Sequence, residues 1–312
     1  MAVYTNISQS EAQILFINIG KITQLEGIQE GVENTNYKVT LEDNKKYILT
    51  IFEKRTKEED LPFFNNAMLE FKEKGISCPT AFELDGKNVF KMKNKNCSIY
   101  NFLKGRPTKI INKDVSIALS EMMAKMHMIG RESKLNRHNT MLIPSWSYIL
   151  GKFYNFKEHN FKEELKLVSE SIEEMQGQFP NNLDTSLIHA DLFPDNVFFE
   201  NNKISGVIDF FFSCNDTIIY DLSTLINSWF FVDKFSEENC KLFLNNYLNK
   251  INLSKYEKEN FNFYLKASAI RFFLTRLHDM YFNNSGDVNH KDPMDFFHIL
   301  RFHQKNNLED FI

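Results

Sequence analysis

The hydrophobic pattern of the chain is mainly strand-like before Gly105 and Pro107 and mainly helical after them, and that change limits what it can fold into. Before it, β-branched and aromatic runs alternate with turn residues; after it, apolar residues recur at helical spacing. YKVTL (37–41) and KYILTIFE (46–53) read as an antiparallel hairpin turned by EDNK (42–45). EGIQEGVENTNYKV (26–39) feeds it, with Gly27 and Gly31 as loop glycines. Ser8 and Glu11 form a capping box that opens a short helix, with Gly20 ending it. Residues 59–74 place Phe64, Met68 and Phe71 on one helical face, stopped by Gly75. Asp85-Gly86 predicts a hairpin turn with a strand on either side.

Past residue 107 the spacing predicts helices over 114–129, about 160–177, 219–230, 236–250 and 256–282. The exception is 186–209, where SLIHA, NVFFE and ISGVIDF read as short strands. A chain of 312 residues is too long for one small core. The pattern therefore predicts an α+β, bilobal fold: a β-rich N-terminal lobe, 1–104, and a mainly helical C-terminal lobe, 105–312.

Composition excludes several classes. A formal net charge of -4 supplies no general basic field, which predicts no nucleic-acid partner. Cys78, Cys97, Cys214 and Cys240 form no C-x-x-C pair, so free, mostly buried thiols are expected rather than a zinc site or disulfides. MAVYTNISQSEAQ has no basic segment followed by an apolar run, which predicts no signal peptide. No apolar stretch reaches the ~18 residues of a membrane helix. A cytoplasmic protein with no membrane partner is expected.

The polar groups concentrate in IHADLFPDN (188–196). His189, Asp191 and Asn196 have the spacing H-x-D-x-x-x-x-N of a kinase catalytic loop, and Asp209 closes an apolar strand thirteen residues after Asn196. Phosphoryl transfer from ATP needs Mg²⁺ on the phosphates, and Mg²⁺ prefers hard oxygens such as the Asp209 carboxylate and the Asn196 amide. The acceptor hydroxyl needs a carboxylate to orient it and take its proton, the part given to Asp191. His189 reads as a residue that holds the loop in shape. A lone H-x-D is often a polar turn; all four positions between apolar strands form a specific signal. DFFFSCND carries no glycine after the metal aspartate, and no A-P-E follows, which favours a small-molecule acceptor over a peptide.

These residues resemble the aminoglycoside phosphotransferase and choline kinase superfamily, with its protein-kinase-like fold. EGVENTNY, YILTIFEKR, LIHADLFPDNVFF, GVIDFFFSCND, YDLS, INSW and LTRLHD are similar, in order and over essentially the whole chain, to the homoserine kinases of that superfamily. The resemblance implies transfer of the ATP γ-phosphate to L-homoserine, giving O-phospho-L-homoserine for threonine synthesis. It implies Asp191 as catalytic base and Asn196 and Asp209 as Mg²⁺ ligands. It also implies a phosphate loop at Gly27 to Asn36, including Gly31 and Asn34, and adenine-binding backbone at Ser98 to Phe102, including Tyr100.

Thr50 stands where a phosphate-binding Lys or Arg is expected, so Lys54 or Arg55 is left to supply that charge, with Asp60 as its partner. Asn215 and Asp216 are candidates for the homoserine ammonium, and Arg271 and Arg276 for its carboxylate. Asp221 reads as a brace for the catalytic loop. Trp229 and Phe230 wall the pocket or belong to the core. His127 reads as a packed core histidine, His138 and Asn139 as loop; His298, His303, Lys291 and Asp292 carry no pattern that assigns them a role. A related choline- or aminoglycoside-type alcohol kinase, a catalytically silent pseudokinase and a metal-dependent hydrolase remain the alternatives. A monomer and a homodimer are both compatible.

Overall fold

The computed structural model describes residues 5–29, 34–53, 55–156, 158–180, 183–282 and 291–312. It opens with helix α1 (Gln9–Leu15), whose capping box is formed by Ser8 and Glu11. The helix stops at Leu15 and not at Gly20, since Phe16 caps it.

A five-stranded antiparallel sheet follows, ordered β1-β2-β3-β5-β4. Its strands are β1 (Ile22–Ile28), β2 (Thr35–Leu41), β3 (Lys46–Ile51), β4 (Phe90–Met92) and β5 (Lys95–Asn101). The EDNK turn joins β2 to β3 as expected, with Asn44 at φ 64°. β1 is additional, and Gly27 lies inside it opposite Tyr37 rather than in a loop. Asp85 and Gly86 do turn, both at positive φ, but only an isolated Leu84–Lys87 bridge flanks them. The true hairpin is β4–β5, turned by Lys93 and Asn94, also at positive φ. Asn and Lys tolerate the left-handed region less readily than Gly, so that turn carries a weak sequence signal.

Helix α2 (Leu61–Glu73) buries Phe64, Met68 and Phe71, the face that its periodicity marked. These side chains do not join the core under the sheet, where Ala12 and Phe16 meet Val39, Leu49, Ile51 and Ile99. They join the core of the helical half, with Leu119, Leu187 and Phe210. A short pairing of β6 (Arg106–Pro107) with the catalytic strands leads into that half.

The helical half contains α3 (Lys113–Glu132), α4 (Ile143–Asn155), α5 (Lys162–Gln176), α6 (Ile218–Trp229), α7 (Glu237–Leu248), α8 (Lys255–Glu259), α9 (Phe261–Phe282) and α10 (Met294–Lys305). α4 and α10 were not foreseen, and Asn260 divides the expected 256–282 helix into α8 and α9. The strand island is present as β7 (Ser186–Ile188), β8 (Val197–Glu200) and β9 (Lys203–Val207), with β10 (Cys214–Asp216) pairing β7. α3 runs so close under β7 that a Cβ on Gly130 would lie 2.1 Å from the Leu187 carbonyl oxygen. All four cysteines are free and buried. Among the described residues no helix is long and apolar enough to cross a membrane.

Candidate active site

The catalytic loop leaves β7 and re-enters at β8, and its backbone is held from three sides. His189 is fully buried. Its Nε2–H donates to the Ile208 carbonyl (3.0 Å), and its Nδ1 accepts from the Asp191 N–H (3.2 Å). That pattern makes the ring a neutral tautomer joining the loop to the strand that ends in Asp209. Burial also pushes the His189 pKa down, against the pull of Asp221 and Asp191.

Asp221, at the start of α6, accepts the N–H groups of His189 (3.2 Å) and Ala190 (2.7 Å). Behind it, His127 on α3 reaches Asp221 through Nε2 (3.3 Å), while its Nδ1 accepts from the Tyr247 hydroxyl (2.7 Å). Burial pushes the Asp221 carboxyl up, but His127 and the loop N–H groups outweigh it and leave its pKa lowered. His127 is therefore more than packing. The sequence signal, a histidine on an apolar helical face, does not reveal its distant acidic partner.

Ala190 is drawn into the left-handed region, at φ 65°. Asp191 follows it, with its side chain 14% exposed. Asn196 turns its amide nitrogen to the Asp191 carbonyl (2.8 Å) and carboxylate (3.1 Å). That leaves the Asn196 carbonyl oxygen as the donor a cation would use. Asp209 closes the strand, also left-handed at φ 67°. Phe211, two residues on, meets Phe52, Phe64 and Tyr100 edge to face, which fixes the chain just after Asp209. The Asn196 and Asp209 oxygens fit Mg²⁺, which binds through one or two protein groups plus substrate phosphates. Among the described residues no group of three or more His, Cys, Asp and Glu could hold a metal ion.

A cavity of about 490 Å³ is lined among others by Arg55, Asp60, Arg137, His138, Phe211 and Phe212, the last two from the segment after Asp209; Asp191, Asn196 and Asp209 do not line it. Asp60 pairs with Arg137 (3.0 Å), a partner from the α3–α4 connection. Arg55 pairs with Asp279 on α9. Gly31 and Lys54 lie outside the described residues. Asn34 accepts the Glu53 N–H (3.3 Å), so its side chain ties the hairpin base together.

Several expected contacts take another form. Tyr100 points into the core and donates to Asn65 (2.8 Å). The N–H groups of Asn101 and Phe102 are used by Thr80 and Lys46, so they are not held ready for adenine. Asn215 is committed to the 135–137 segment: its amide donates to the Leu135 carbonyl (2.9 Å) and accepts the Arg137 N–H (2.7 Å). Asp216 accepts from Asn139 (2.7 Å), and burial raises its pKa. Arg276 is bound to Asp295 (2.9 Å) and the Asp292 carbonyl (2.7 Å). Arg271 is buried, 1% exposed. Trp229 and Phe230 are fully buried core residues, and Trp229 donates to the Leu192 carbonyl (2.9 Å).

A β-sheet half and a helical half that carries this loop define a kinase-like phosphotransferase. Over residues 24–249 the chain matches the phosphotransferase enzyme family. Among solved structures it is similar to an amicoumacin kinase bound to AMP-PNP, with TM-score 0.72, 18% identity and coverage of 97% of this chain and 94% of that one. It is also similar to a spectinomycin phosphotransferase bound to ADP, with TM-score 0.67, 16% identity and 98% of both chains covered. At those identities the likeness is one of fold.

Curated relatives narrow the class. The homoserine kinase of Paramagnetospirillum magneticum is 35% identical, covering 97% of each chain. That of Zymomonas mobilis is 35% identical, covering 99% of each. The chain belongs to the homoserine kinase family, within the phosphotransferase enzyme family.

Proposed function

We propose that the chain transfers the γ-phosphoryl group of Mg²⁺-ATP to the hydroxyl of L-homoserine, yielding O-phospho-L-homoserine and ADP. The observation that carries this is the loop geometry, with Asp191 and Asn196 hydrogen-bonded to each other in a chain 35% identical to homoserine kinases over nearly its full length. The Asp191 carboxylate orients the hydroxyl and takes its proton as the new P–O bond forms and the bond to the ADP oxygen breaks. The Asn196 amide and the Asp209 carboxylate hold the cation, which neutralises phosphate charge when bound. His189 and Asp221 keep the loop in register. The cleft between the halves, divided near residues 104 and 105, takes the nucleotide.

The test is ADP release from Mg²⁺-ATP with L-homoserine beside choline, L-serine and kanamycin. Turnover with homoserine far above the others supports the reading. Turnover only with another alcohol would keep the mechanism and replace the substrate. ATP binding with no turnover at all would favour the pseudokinase.

A further inference from the structure

We infer that Arg271 is a positioning residue for phosphoryl transfer, holding the Ala190 peptide and through it the Asp191 carboxylate, and is not a ligand for the substrate. The inference rests on the reading of Asp191 as the group that receives the hydroxyl proton.

Ala190 is held between opposite charges on two helices. Asp221, on α6, accepts its N–H, and Arg271, on α9, donates through Nη1 to its carbonyl. A non-glycine residue stays in the left-handed region only when its surroundings over-determine it. Here the two grips do so, one residue before Asp191. The same guanidinium donates to the Tyr220 hydroxyl (3.2 Å), and its Nη2 lies 3.9 Å from the Asp191 carboxylate. Its plane is packed by the rings of Phe272 (4.4 Å) and Phe212 (4.9 Å). Phe212 lies three residues past Asp209, so Arg271 touches both the loop that carries Asp191 and the segment that follows Asp209.

Burying a guanidinium is costly, and helix packing alone is served better by an apolar side chain. Substrate binding does not account for it, because the group is 1% exposed and Nη1 is already committed. Its Nε is buried without a hydrogen-bond partner among the described residues, so the side chain is placed for its terminal nitrogens. What those nitrogens reach is the catalytic loop.

The experiment compares kcat and KM for L-homoserine and for ATP in Arg271→Lys, Arg271→Met and Tyr220→Phe, each first checked for folding by circular dichroism. A displacement of about an ångström at the reacting group costs on the order of a hundredfold in rate. Arg271→Met is expected to lose about that much kcat with both KM values nearly unchanged. Arg271→Lys keeps the charge and restores part of the rate, and Tyr220→Phe loses the least. If Arg271→Met does not fold, the other two carry the comparison. In an Asp191→Asn background Arg271→Lys should cause no further loss, because the two act as one unit. A rise in homoserine KM at constant kcat would overturn the inference in favour of a substrate ligand. A lowered melting temperature with kcat unchanged would also overturn it, leaving a purely structural residue. Turnover of a different alcohol by the unmodified protein would remove the homoserine reading alone, since the same comparison is then made with that alcohol.

Discussion

Burial and charge act in opposite directions on Asp191. Burial, the larger influence, raises its pKa; the charges of Arg271 and Lys291 pull it back without cancelling the rise. The reaction needs the ionised form. Activity is therefore lost as pH falls through a value above the ordinary ~3.9 of aspartate. The expected result is an acid limb in kcat/KM higher than that of an exposed carboxylate; a limb at or below that value would remove the burial argument. Asp191→Ala should lower kcat by roughly 10²–10⁴-fold with Mg²⁺-ATP binding retained. Asp209→Ala should weaken Mg²⁺-ATP binding as well, read by equilibrium titration with the nucleotide. At this scale the sequence was most legible where spacing is local: His189, Asp191, Asn196 and Asp209 lie within 21 residues. It was least legible for charges whose partners are distant. Asp60 finds Arg137, Arg55 finds Asp279 and Arg276 finds Asp295, and none of those pairings leaves a periodic trace.

The elements that carry the loop are packed with little slack, and two glycines on helices give opposite predictions. On Gly130, in α3, a Cβ would meet the Leu187 carbonyl oxygen at 2.1 Å and the Ser186 hydroxyl at 2.7 Å. Gly130→Ala must push α3 off β7, at a cost of about 1–3 kcal/mol or more. Gly151, in α4, has nothing within 4 Å of a built Cβ. Gly151→Ala should stabilise by about 0.5–1 kcal/mol through helix propensity alone. Urea unfolding of the two variants checks both signs; equal shifts would show that the close approach does not constrain the fold. The elements legible beforehand were those with a clean apolar stripe, such as α2, α3 and α6. α4 and α10 carry the same kind of stripe, Trp146, Ile149, Leu150 and Phe153 in α4 and Phe296, Ile299, Leu300 and His303 in α10, so the helical spacing was present in the sequence at both places although neither helix was expected. β1 was missed because ITQLEGI mixes polar residues into both faces of a strand in which only Ile22 is buried.

On the scale of the whole molecule, α10 lies along α9 and anchors the far end of the helical half, and His303 is its polar link. Its Nε2–H donates to Asn227 on α6 (2.8 Å), while Phe231 and Phe302 pack against the ring. Nothing in the local sequence marks this histidine, because both its burial and its partner come from tertiary packing. Burial pushes its pKa down to about 3. In the unfolded chain a histidine titrates near 6.5. The folded state thus excludes a proton that the unfolded state takes up. Stability from this group is full above pH ~6.5 and is lost as pH falls from there toward the folded value, by about 1.4 kcal/mol for each pH unit. Between pH 7 and pH 5 that amounts to roughly 2 kcal/mol. Urea unfolding of the wild type and of His303→Gln at both pH values isolates the effect. The variant should be less stable at pH 7 and should lose about 2 kcal/mol less than the wild type on acidification. Equal losses in the two proteins would mean that His303 takes up its proton without disturbing the α6–α10 contact, and the acid sensitivity of the fold would then have to come from another group.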